Sequence, residues 1–159
     1  MSTIEVREHP AQPTASVRLR GPAHKLDDAF DRYLPLVAAR VGQLGAAMVG
    51  PPFARYHAMN GTEFDVEIGV PLARPIVGQH ALRDAEPGEV ARSELPACRA
   101  ATMICSGPYD GLGRAWDELQ AWVTREGYAP AAPGWESYVD DPRQVPAQQL
   151  RTALFVPVG

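Results

Sequence analysis

Cysteine is scarce: Cys98 and Cys105 are the two in 159 residues, too few for a disulfide framework and not spaced as a CxxC metal clip. Two small thiols, buried or half-buried, are expected. The four histidines, His9, His24, His57 and His80, have no metal-ligand spacing and no cysteine or carboxylate in register, so neither a metal nor another cofactor is expected. No stretch approaches the ~20 consecutive apolar residues of a membrane span. The opening MSTIEVREHP also lacks the basic-then-apolar order of a signal peptide, so the expectation is a cytoplasmic protein with no membrane partner. Basic charge is thin as well. Fifteen Lys and Arg are scattered among 19 Asp and Glu, for a formal charge of -4, so no face suited to phosphates emerges and direct nucleic-acid binding is not expected. Ser106 and Ser137 lack the His and acid of a serine hydrolase. Gly107, Gly111 and Gly113 fit neither a dinucleotide fingerprint nor a P-loop and read as turn and capping glycines.

What the chain has is a second copy of itself. His9-Pro10 answers to Leu95-Pro96, Gly21-Pro22 to Gly107-Pro108, Phe30 to Trp116 and Val70-Pro71 to Val156-Pro157, all at an offset of 86. Pro51, Phe53 and Tyr56 answer to Pro133, Trp135 and Tyr138 at an offset of 82. A chain of this length and 45% apolar content suits one domain, here 1–159, built from pseudo-repeats at about 1–73 and 88–159. Two similar halves make a seam, and seams are where ligand sites form. The sharpest difference between the copies is Glu136, which stands where the first copy has Ala54.

Each copy runs strand, turn, strand, Gly-Pro, helix, Pro-rich loop, strand, loop, strand. Ile4 to His9 and Thr14 to Arg20 are extended runs parted by Pro10 and Pro13. Leu26, Phe30, Tyr33, Val37, Val41 and Leu44 make a helical stripe, in which Pro35 predicts a kink near Asp31 to Leu34 or a split helix. In the second copy Asp110 is placed to cap a helix whose stripe is Leu112, Trp116, Leu119 and Val123, with Gly127 as its stop. Alternation sets Phe64, Val66, Ile68, Val70 and Leu72 against Asp65, Glu67 and Gly69, the carboxylates reading as a solvated face that could rim a cleft. The fold class is α+β: duplicated βαββ units, each an antiparallel sheet with one helix on its apolar face. The face left over carries Tyr56 in one half and Tyr138 and Phe155 in the other, which is too aromatic for a solvated surface, so the halves are expected to turn these faces toward a shared concavity.

The segments FDVEIGVPL (Phe64 to Leu72), SELPA (Ser93 to Ala97), SGPYDGLGRAWDEL (Ser106 to Leu119), WESYVDDP (Trp135 to Pro142) and LRTALFVPV (Leu150 to Val158) carry a family resemblance. Together they resemble the gyrase-inhibitor-like small-molecule-binding fold, and the effector-binding domains of multidrug-sensing transcription regulators. The resemblance covers nearly the whole chain. It implies paired βαββ units around a central hydrophobic cleft that binds bulky, often aromatic and cationic, compounds. Regulators of this kind carry a DNA-binding domain ahead of the module, for which this chain has no room, so a stand-alone binder is the expectation. Some stand-alone relatives hydrolyse strained cyclopropane-bearing natural products with a Glu in an aromatic-Glu-x-Tyr motif. That Glu matches Glu136.

Alternation puts Glu136 and Tyr138 on one face of their strand and Trp135, Ser137 and Val139 on the other. A carboxylate beside aromatic rings is costly to desolvate unless a cation compensates. A lipophilic cation does so, with Trp116, Tyr56, Tyr109 or Tyr138 covering its apolar surface at about 0.5–2 kcal/mol per cation–π contact. Phe155 and Trp135 complete the expected aromatic set, and Ala54 leaves room beside Tyr56. The partner would be a hydrophobic or cationic small molecule. A partly desolvated carboxylate is also a better base, so Glu136 with Tyr56 or Tyr138 could instead activate water for hydrolysis. A third reading is a protein-interaction module, such as a topoisomerase inhibitor, that works through its surface.

Overall fold

The computed structural model describes residues 3–159 and divides them into two compact units. The central unit, Ala11–Pro96, contains β2 (Gln12–Pro22), α1 (Leu26–Gln43), β3 (Phe53–Met59), β4 (Glu63–Pro71) and β5 (Ala91–Leu95). The terminal unit joins β1 (Ile4–His9) to β6 (Cys98–Ser106), α2 (Leu112–Arg125), β7 (Trp135–Tyr138) and β8 (Arg151–Val158). Within each unit the strands pair antiparallel, in the orders β3-β4-β2-β5 and β1-β6-β8-β7. The duplicated halves therefore do not keep their own first strands. Pro10 and Pro13 bar a tight hairpin between β1 and β2, and β1 pairs with β6 while its twin β5 pairs with β2.

In the terminal unit α2 lays Ala115, Leu119 and Val123 on Ala101, Met103, Leu154, Val156 and Val158, with Leu112, Trp116 and Cys105 packed at the margin. This is the predicted stripe. Gly127 ends the chain's helical path at φ +82°, a left-handed turn that favours glycine. The expected Asp110 cap does not form; a 3-10 turn, Tyr109–Gly111, leads into the helix instead. α1 packs on β2 and β4 and runs unbroken through Pro35, so the predicted split is absent. Pro35 sits on the exposed side, where the Asp31 carbonyl that loses its donor can turn to water.

The faces of the central sheet differ. Ala15, Val17, Leu19, Val66, Ile68 and Val70 form an apolar side, matched to the buried Val37 and Val41 of α1. The other side is polar yet also largely buried, with Thr14, Ser16 and Glu67 all at most 1% exposed. Glu67 is thus not the solvated residue that alternation suggested. Gly69 is required here, because a Cβ would meet the Ser16 Oγ at 2.3 Å and the Ala15 carbonyl oxygen at 2.5 Å. Nor is Asp65 a lone surface charge: the Arg18 guanidinium grips both its oxygens at 2.9 Å and Arg20 adds a third contact at 3.0 Å.

That grip sets an acid limit. The hydrogen bond from Arg18, opposed by partial burial and reinforced by Arg20, takes the Asp65 carboxyl from 3.8 to about 2. A depressed carboxyl contributes stability in full above its unfolded value and loses it as pH falls through the folded one. In stepped-pH urea unfolding, wild type is therefore expected to be more stable than Asp65→Asn at neutral pH. The difference should shrink from about pH 4 downward and vanish only below about pH 2. A difference independent of pH would show that the charge of Asp65 is not what stabilises.

Candidate ligand-binding site

Register places Glu136 opposite Leu154, a residue of the α2-packed core, so its carboxylate points to the helix side of the terminal sheet. It is 3% exposed. The Trp116 indole N–H, reaching down from α2, donates to Oε1 at 2.9 Å. A donor is needed there, because a buried carboxylate without compensation costs several kcal/mol. The backbone makes room for the indole at Gly134. A Cβ at that position would lie 3.1 Å from the Trp116 ring and 2.7 Å from the Phe155 carbonyl oxygen.

Two tyrosines flank the carboxylate's strand. Tyr138 follows Glu136 on the same face, and its ring meets that of Tyr109 edge-on at 5.6 Å. Tyr109 comes from the 3-10 turn before α2 and is 36% exposed. Burial first, then the negative charges of Asp141, Asp140 and Glu136, push its phenol above the ordinary value, which keeps it a hydrogen-bond donor. The Cys105 thiol is raised in the same way, by burial and then by Glu136. Asp140 is itself tied by the guanidinium and backbone N–H of Arg151 at 2.9–3.0 Å, fixing the chain just beyond Tyr138.

Tyr138, like Glu136, lies on the helix side of its sheet, and Tyr56 on the apolar side of its own sheet that packs on α1, not on the face left over where both were expected. Other nominated residues lie elsewhere. Phe155 pairs with Trp135 and Tyr138 with Thr152, so Phe155 does not share a face with Tyr138 as the aromatic count suggested. Trp135 and Phe155 stack at 5.1 Å on the far side of the sheet, with the His9 ring edge-on at 5.0 and 5.7 Å. They form a second aromatic cluster that turns away from Glu136. Ala54 and Tyr56 belong to β3 of the central unit, Ala54 fully buried opposite Ile68 and Tyr56 half-buried opposite Val66. Sequence reasoning missed Cys105 as a neighbour of Glu136, although its two-residue step from Met103 places it on the core side. It also missed His9. Open grooves of about 320 and 330 Å³ lie on the central unit, one along Leu36 and Arg40 of α1 and one around Pro13 and Pro75, and Glu136 borders neither. Among the described residues no three His, Cys, Asp or Glu side chains gather as metal ligands, and no helix is long and apolar enough to cross a membrane.

A repeated sheet-and-helix scaffold with a buried carboxylate near aromatic rings is the setting of a small-molecule-binding module. Residues 2–159 match the GyrI-like small molecule binding domain, and the chain belongs to that family. The fold is similar to that of the EcmrR C-terminal domain, with a TM-score of 0.84 at 23% identity over 100% of this chain and 98% of that one. Against EcmrR in its DNA complex the chain spans 57% of the longer protein, with a TM-score of 0.81 at 23% identity over 99% of this chain. A hydrolase from Listeria innocua is similar at a TM-score of 0.66 and 15% identity, over 98% of this chain and 91% of that one. SAV2435 bound to tetraphenylphosphonium gives a TM-score of 0.63 and 11% identity, over 99% and 94%. No curated protein matches the sequence closely enough to count as a relative.

Trp116→Phe removes the donor to a buried carboxylate and is expected to cost about 1–3 kcal/mol in urea unfolding at neutral pH. The double variant Trp116→Phe with Glu136→Leu should be less destabilised than the two single changes sum to, because no unsatisfied charge remains. Simple additivity would mean that the indole does not support the carboxylate.

Proposed function

We propose that the protein binds bulky lipophilic cations, with Glu136 as the counter-charge and Trp116, Tyr109 and Tyr138 as the apolar wall. The observation that carries this reading is the burial of Glu136 beside the Trp116 indole. The indole N–H eases the cost of the buried charge, and a ligand's positive charge would lower it further. Aromatic rings tolerate ligands of differing shape, so the binder would accept a class of compounds. The tetraphenylphosphonium in the SAV2435 structure is a ligand of this class, bound by a protein of similar fold. The net charge of -4 favours cations over anions at long range. Water and ions rather than membrane or nucleic acid are the surroundings this reading assumes, as in a cytoplasmic protein.

A second reading is favoured by the phenols around Glu136. Tyr109 keeps its proton, so its hydroxyl can hydrogen-bond a developing negative charge while the buried carboxylate acts as base, an arrangement that would serve to add water to a strained or activated ring. Glu136 would take a proton from water while Tyr109 or Tyr138 donates to the leaving atom. The similarity to a hydrolase from Listeria innocua keeps this reading in play at the level of fold.

Titration of rhodamine 6G against wild type and Glu136→Gln separates the two readings. For a cation binder, affinity should fall by about tenfold or more in the variant, equivalent to about 1.4 kcal/mol or more, while a neutral dye of similar size is unaffected. Undiminished rhodamine binding in Glu136→Gln would sink the cation-binding claim. For a hydrolase, mass spectrometry should show turnover of cyclopropane-bearing or activated-ester compounds by wild type, lost in Glu136→Gln with binding largely retained.

A further inference from the structure

The central unit holds a buried carboxylate of its own that the binding reading leaves unused. Glu67 on β4 is 1% exposed, and its Oε1 accepts from the His57 imidazole Nε2 at 3.1 Å. His57 is the one residue of β3 without a partner on β4. Tyr56 faces Val66 and Ala58 faces Asp65, so His57 is the extra residue of a β-bulge. The structure thus ties the bulged residue to a buried charge. The Glu67 Oε2 has no close partner, although the Ser93 and Ser16 hydroxyls stand near the carboxylate.

Comparison of the two copies links these features. The positions matching Glu67 and His57 in the second copy are Ala153 and Val139, and Val139 lies just beyond β7, which pairs with β8 from Trp135 to Tyr138. Carboxylate and imidazole thus occur together in one copy and are missing together from the other. Register explains what the bulge protects. A strand that slips by one residue turns every side chain before the slip to the opposite face. Here Ala54 and Tyr56, paired with Ile68 and Val66 on the apolar side, would exchange places with Phe53 and Arg55.

We propose that His57 and Glu67 form a latch on the β3 bulge that holds Ala54 and Tyr56 on the apolar face, and that protonating Glu67 opens it. The charged groups around the latch are Arg55 across from Glu67 on β3, Arg18 across from it on β2, and Asp65 on its own strand, already paired with Arg18 and Arg20. The near groups on β2 and β5 are the neutral hydroxyls of Ser16 and Ser93. Burial alone would raise the Glu67 carboxyl, but the His57 imidazole and the nearby Ser93 and Ser16 hydroxyls outweigh it and hold it below the ordinary value. The latch is therefore closed at neutral pH and opens on the acid side of the usual carboxylate range. It does not depend on whether Glu136 binds a cation.

Native-state amide exchange tests the latch in the full chain. In His57→Leu and in the milder Glu67→Gln, exchange at Ala58 and Met59 should rise by about tenfold or more, while Val17 and Leu19 on β2 change far less. His57→Gln keeps an N–H donor and should restore most of the protection. In wild type, exchange at Ala58, corrected for its intrinsic rate, should accelerate as pH falls below about 4, and Glu67→Gln should lose that dependence. Unchanged exchange at Ala58 and Met59 in Glu67→Gln would overturn the latch. So would an equal rise across β2 and β3, which would mark general destabilisation, or a failure of His57→Gln to rescue.

Discussion

Burying a carboxylate inside a sheet is costly, and each unit of this protein does it once. Glu136 in the terminal unit is met by an indole N–H, and Glu67 in the central unit by an imidazole. Much of the local structure serves these two contacts. Gly134 gives the Trp116 ring its place, Gly69 leaves room beside Ser16, and the bulge at His57 brings a ring to Glu67. The two carboxylates also stand at complementary positions in the repeat. Where one copy has Glu136 the other has Ala54, and where one has Glu67 the other has Ala153. A charge that large would be expensive to duplicate in both copies, and alanine at the vacated positions keeps each sheet closely packed.

The scaffold was legible because it rests on local rules. Period-two alternation in β4 and β8, the three-and-four spacing of Leu112, Trp116, Leu119 and Val123, and the Gly-Pro turns before each helix all act within a few residues. Which strands pair is a different matter. Nothing in the run Ile4 to His9 distinguishes a partner in its own copy from one in the other, because both candidate strands repeat the same pattern. Alternation showed that Glu136 and Tyr138 share a face but not which one: both lie on the helix side and not on the face left over, and the grouping of Tyr138 with Phe155 needed the register between β7 and β8. The Glu67 error has another cause. Alternation separates the two faces of a strand without saying which is wet, and here the second face is buried too.

The site chemistry follows from the same facts. Trp116 is both a member of the α2 stripe and the donor to Glu136, so helix packing and charge compensation meet in one side chain. Tyr109 and Cys105 feel the Glu136 charge in the direction that keeps their protons on. Around this carboxylate stand the Trp116 donor and the rings of Tyr109 and Tyr138, and the charges of Asp140 and Asp141 act on Tyr109 together with it.

The exchange of first strands has a consequence for the order in which the chain assembles. All of the central unit lies between Ala11 and Pro96, so its sheet can close as soon as β5 is made. The terminal unit cannot, because β1 is synthesised first and its partner β6 begins only at Cys98. During translation β1 therefore waits unpaired until β6 is made, while the strands of the central unit can already pair with one another. Its alternating charges, Glu5, Arg7 and Glu8 among Ile4 and Val6, suit that interval, since charged side chains discourage pairing with a stray edge before β6 arrives.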